Sequence, residues 1–100
     1  MRITLRRLRE AKGWKINYAA QLYHMGVEKL RSYENYKDIP TFEELAMMLK
    51  MMGYYFDEIT FIIWRDIEEH YQPKNEKEFS LIDNNITHCF LEWYESERNN

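Results

Sequence analysis

Between residues 16 and 35 the chain has room for two short helices and one tight turn, and for little else. Ala19, Ala20 and Tyr23 share a face over 16–23, and Leu30 and Tyr33 share one over 27–35. His24, Met25 and Gly26 lie between them, three residues that can only reverse the chain sharply. Two short helices are thus joined by a three-residue turn. Neither can cover its own apolar face, so other elements must close the core.

The flanking sequence supplies them. From Ile3 to Lys12, Leu5, Leu8 and Ala11 recur at steps of three, and Gly13 stops the run. Downstream, Pro40 closes a loop and Thr41-Phe42-Glu43-Glu44 forms a capping box. The threonine oxygen can accept the N–H of Glu44 while the glutamate reaches back to the threonine amide. That helix extends to about Met52, with Phe42, Leu45, Ala46 and Leu49 inward, and Gly53 ends it. The methionines of AMMLKMMG at 46–53 are expected to fill gaps in the core, with Met47 or Met51 left outside; the competing reading is an adaptable binding groove. Asp57 is placed to cap a fifth helix, with Ile59, Ile63 and Ile67 at steps of four and Tyr71 four further on.

QPKN at 72–75 is the one clear breaker. It divides the chain into an amino-terminal unit, 1–71, and a carboxyl-terminal extension, 74–100. In the extension Phe79, Ile82, Ile86, Phe90 and Trp93 recur at steps of three and four, the seam of a helix. A rival reading pairs FSLI with ITHCFLEW across DNN as a hairpin. Such a seam is too apolar to stay bare. It folds back on the fifth helix or meets the same seam in a second chain, and the second arrangement, a dimer, is the expectation.

Composition narrows the fold class and excludes several functions. One hundred residues make one domain, and three glycines with two prolines are too few for an all-β chain full of turns. The net charge of −3 hides a division: residues 1–50 hold ten Lys and Arg against six Asp and Glu, residues 51–100 four against eleven. A basic half and an acidic half suggest two surfaces with different partners. Cys89 is the single cysteine, so no intramolecular disulfide can form, and a packed thiol is expected. The chain opens without a charged-then-apolar leader, and runs such as FIIW at 61–64 are too short to span a bilayer, so a cytoplasmic setting without membrane contact is expected. His24, His70 and His88 lie at no ligand spacing, no glycine-rich phosphate loop occurs, and Glu43-Glu44 and Glu68-Glu69 look solvated. No enzyme, metal or cofactor is expected.

The order LRRLREAKGW, AAQLYHMG, VEKLRSYEN, Pro40 and TFEELAMMLKMMGYYFDEI resembles the Cro/CI-type, or XRE-type, helix-turn-helix family over residues 3–60. Arg9, Gly13, Ala20, Leu30, Tyr33, Glu34, Pro40 and Leu49 all fall at the family's spacing. The resemblance implies an all-α, lambda-repressor-like bundle of about five helices, here with a carboxyl-terminal helical extension. It implies a repressor of phage or bacterial type that reads double-stranded DNA as a homodimer, with the helix from Val27 in the major groove. Val27, Glu28 and Ser32 stand where the family touches bases. Lys15 and Ile16, with Asn35, stand where it approaches phosphates, and the cations Lys29, Arg31 and Lys37 lie on or beside the same face. Arg9 and Glu34 correspond to its ion pair.

Three positions depart from the pattern. His24 and Tyr36 replace glycines, and the second helix opens with Lys15 where a Ser or Thr cap and a later glutamate are usual; the later place holds Tyr18. Glu28 has two readings: it can accept from the amine of cytosine, or it can simply suit a helix amino terminus and repel phosphate. Val27 can touch a thymine methyl or be an ordinary surface residue. The alternative function is a protein-interaction module on the same scaffold, an antitoxin or small phage inhibitor whose acidic carboxyl half binds a basic partner.

Overall fold

Six helices follow one another: α1 (Leu5–Ala11), α2 (Ile16–Leu22), α3 (Val27–Glu34), α4 (Phe42–Met51), α5 (Asp57–His70) and α6 (Glu76–Arg98). The computed structural model describes residues 2–55 and 57–98, with Asp57 described by its backbone alone. No strand occurs among the described residues. The hairpin reading of 79–93 is therefore wrong: that segment is the middle of one helix, as apolar positions recurring at steps of three and four favour.

The helix ends follow from local chemistry. Thr4 Oγ1 accepts the Arg7 N–H at 3.0 Å to start α1. At α4 both halves of the capping box form, Glu44 N–H to Thr41 Oγ1 and Thr41 N–H to Glu44 Oε1, each at 3.0 Å. The expected cap at Asp57 lies outside the described side chains. Helices α1 to α4 all terminate on a residue in the left-handed region: Gly13 (φ 75°), His24 (54°), Tyr36 (60°) and Gly53 (88°). After α2, His24 N–H reaches Gln21 O at 3.2 Å and Met25 N–H reaches Ala20 O at 3.0 Å; after α3, Tyr36 N–H reaches Tyr33 O at 3.3 Å and Lys37 N–H reaches Ser32 O at 2.9 Å. These paired bonds satisfy the last carbonyls of each helix in a Schellman motif. Two such ends use glycine and two do not, so the geometry of the end outweighs the preference of the residue.

The core runs through all six helices. Ala19, Leu30, Leu45, Met48, Ile63 and Trp64 have no exposed surface. Met52 also lies inside, Met47 is half-buried and Met51 stays 45% exposed. In α1 the expected inward set needs correction. Ala11 is exposed and Arg9 is buried. Steps of three drift around a helix of 3.6 residues per turn, so by Ala11 the repeat has left the core, while Arg9, four on from Leu5, keeps to it.

Helix α6 packs along α5, and its Ile82, Ile86 and Cys89 join the core. Phe61 of α5 lies 5.8 Å, centroid to centroid, from both Phe90 and Trp93. Phe42 at the start of α4 meets His88 edge-on at 4.8 Å and lies nearly parallel to Trp64 at 6.5 Å. The seam thus divides. Ile82 and Ile86 are taken up within the chain, Trp93 is half-buried, and Phe79 (62%) and Phe90 (43%) remain exposed at the margin. No helix among the described residues is long and apolar enough to cross a membrane.

Candidate nucleic-acid interface

Helix α3 is held from behind. Leu30, Tyr33 and Glu34 are buried, which leaves Glu28, Lys29 and Arg31 outside. Its lower end is fixed by a buried ion pair. Arg9 Nε donates to Glu34 Oε2 at 2.7 Å and Arg9 Nη2 to Oε1 at 3.0 Å, while Nη1 holds the Trp14 carbonyl at 2.7 Å. Their side chains are 9% and 4% exposed. A two-pronged contact of this kind fixes orientation as well as distance.

The residues expected at bases sit differently from one another. Glu28 is 86% exposed and forms an ion pair with Arg31 one turn away, so its charge is partly answered within α3. Val27 is half-buried and packs against the core, which leaves only part of its surface for a base. Ser32 is half-buried, and its backbone carbonyl receives the Lys37 and Asp38 N–H groups.

The residues expected at phosphates divide as well. Lys15 and Ile16 begin α2, whose first N–H groups receive no side-chain cap. Unanswered N–H groups at a helix start suit an anion. Lys15, Ile16, Arg31 and Asn35 line one groove together with Arg6 and Arg9. Lys37 is exposed beyond the end of α3. Lys29 turns elsewhere: its Nζ lies 2.7 Å from Glu44 Oε2 and 5.9 Å from the Tyr33 ring centroid. That contact, a hydrogen bond to Glu44 above all, raises the Lys29 pKa.

Glu44, expected to be solvated, is largely enclosed. Burial alone would raise its carboxyl, but hydrogen bonds from Lys29, the Thr41 amide and the Tyr33 hydroxyl outweigh that and hold it at about 2. The pair Glu43-Glu44 sits in the first turn of α4, where the second acid closes the capping box and therefore turns inward.

One cluster was not visible in the sequence pattern. The Tyr36 hydroxyl donates to Asp66 Oδ2, and Arg2 Nη2 donates to Asp66 Oδ1 at 2.8 Å and to the Tyr36 oxygen at 2.9 Å. Asp66 is only 6% exposed. His70 completes the group: its Nδ1 lies 3.3 Å from Asp66 Oδ1 and its ring 5.1 Å from that of Tyr36. Burial, then the Asp66 carboxylate, pushes the Tyr36 hydroxyl up to about 12. The only signal available was Tyr36 standing at a glycine position, which marks a side chain with a use.

Two short helices, a left-handed turn, a recognition helix braced by a buried ion pair and a basic groove at its end are the parts of a DNA-binding helix-turn-helix. A family model described as helix-turn-helix matches residues 5–59. No curated protein and no solved structure matches the chain. The chain belongs to the XRE-type helix-turn-helix family of DNA-binding regulators.

Proposed function

We propose that the protein is a sequence-specific repressor of phage or bacterial type, with α3 in the major groove and the chain acting as a homodimer. The observation that carries this reading is the groove where Lys15, Ile16, Arg31 and Asn35 converge beside the end of α3. Phosphates seated there and at Lys37 set the register, and Val27, Glu28 and Ser32 face the base edges. Phe79 and Phe90 supply the exposed apolar surface for a second copy, since Ile82 and Ile86 are already covered. Bound at a promoter, such a dimer blocks polymerase by occupancy.

Fluorescence anisotropy with duplex DNA across a salt series tests the reading. Affinity should fall steeply with salt, by a log–log slope of about −0.9 per phosphate neutralised. Dissociation constants that stay weaker than about 10⁻⁴ M at low salt, the limit of ordinary non-specific binding, would remove DNA from the account. Lys15→Glu with Lys37→Glu should weaken binding to all sequences alike. Glu28→Ala should change sequence preference; a uniform rise in affinity would instead make Glu28 a partner of Arg31 with no part in base readout. Phe90→Asp should convert a dimer to a monomer in size exclusion without loss of helicity.

A second reading is favoured by the outer face of α6. Phe90, Leu91 and Tyr94 are exposed there beside Glu92, Glu95 and Glu97. Such a face suits a basic protein partner, which would compete with a second copy for Phe90.

A further inference from the structure

The groove at the end of α3 does not stop at the residues that the family resemblance points to. A second groove shares Arg6, Glu34 and Asn35 with it and continues to Arg2, Arg7 and Tyr36. The two make one trough along the outer side of α1. We infer that this trough is a further DNA-backbone site, in which Arg2, Arg6 and Arg7 take phosphates flanking those held at Lys15 and Asn35. The inference rests on the DNA-binding reading above and extends the contacted backbone beyond it.

Charge and order both support the assignment. Of the two acids in the trough, Glu34 is fully engaged by Arg9. Glu10 is half exposed and stands 3.5 Å from Arg6 Nε, a surface pair that competes weakly with a phosphate. Two of the three arginines are already positioned. Arg2 is held by Asp66 and Tyr36, yet its side chain remains 52% exposed. Arg7 Nη1 donates to the Arg2 carbonyl at 3.1 Å. A guanidinium has five donors, so these bonds leave capacity for a phosphate, and side chains ordered in advance lose less entropy on binding. Tyr36, where the family has a glycine, lines the trough, and its hydroxyl oxygen accepts from Arg2 Nη2 at 2.9 Å. An open trough continuous with the recognition helix suits a chain of phosphates on a duplex better than one small anion.

The test is the salt dependence of binding to a duplex long enough to extend past the half-site, for the parent, Arg6→Gln and Arg6→Gln/Arg7→Gln. The slope should fall in magnitude by about 0.9 for the single and about 1.8 for the double variant, alike for all sequences. Thermal unfolding should be unchanged for Arg6→Gln, whose ion pair among the described residues is the exposed one with Glu10, so that variant keeps the test sound if Arg7 proves structural. Unchanged slopes in both variants, with Lys15→Gln lowering the slope, would overturn the inference and end the backbone track at Lys15. A parent without salt-dependent binding would overturn the DNA-binding reading itself.

Discussion

The Tyr36 hydroxyl donates to the carboxylate of Asp66, thirty residues further along the chain, and so ties the end of α3 to the middle of α5. The tyrosine does this from a left-handed backbone that glycine would occupy without cost. Strain and contact therefore oppose each other at one residue. Tyr36→Phe should destabilise by about 1.5–3 kcal/mol, the range for a hydrogen bond to a charged group, and leave Asp66 with Arg2 and His70. Tyr36→Gly regains about 1–2 kcal/mol of backbone strain but loses ring and hydroxyl together. Urea unfolding of the two variants should show Tyr36→Gly no more stable than the parent.

His24 is the counterexample. It has the same left-handed backbone at φ 54°, but it is exposed. His24→Gly should therefore stabilise the fold by about 1 kcal/mol, read as a higher urea midpoint with an unchanged slope. A lower midpoint would mean that the imidazole makes a contact the backbone argument omits.

The Arg9–Glu34 pair should behave as a unit. Arg9→Met leaves a carboxylate 4% exposed without its partner and should cost about 3–5 kcal/mol. Arg9→Met with Glu34→Leu should recover most of that loss, because the buried charges leave together. A double-mutant cycle by thermal unfolding, with a coupling energy near zero, would show that the two side chains act separately.

Glu44 gives the acid limb of the stability curve. Its folded pKa of about 2 lies below the ordinary value of 4.5, so its contribution is present above 4.5 and is lost as pH falls through about 2. Glu44→Gln should lower stability at neutral pH, by about 1 kcal/mol for the cap alone, and should flatten the decline between pH 4.5 and 2. Unfolding curves at pH 7 and pH 3 for parent and variant measure both effects.

Much of the fold is legible in the sequence, because its signals are local. Thr41 and Glu44 are three residues apart and meet within one turn, and Leu30 and Tyr33 share a face wherever the helix lies. The Arg2–Tyr36–Asp66 group is not legible. Its members are separated by 30 to 64 residues, and Asp66 alone on α5 has the look of a solvated acid. The seam of α6 is legible as a helix but not in its orientation. Positions 79 to 93 at steps of three and four spread over a broad stripe, and only the docked α5 selects Ile82 and Ile86 for burial while leaving Phe79 and Phe90 at the edge. At the candidate interface, the sequence offers Lys29 and Arg31 as equivalent cations. Packing separates them, because Lys29 alone comes within reach of Glu44.

The similarity to other regulators ends at residue 59, but Ile63, Trp64 and Ile67 of α5 and Ile82, Ile86 and Cys89 of α6 belong to the same continuous interior as Leu30 and Leu45. Inherited module and folding unit are thus drawn with different outlines. Cutting the chain where the resemblance stops would strip the cover from the supports of α3, so the helix-turn-helix depends for its shape on helices that lie largely outside it.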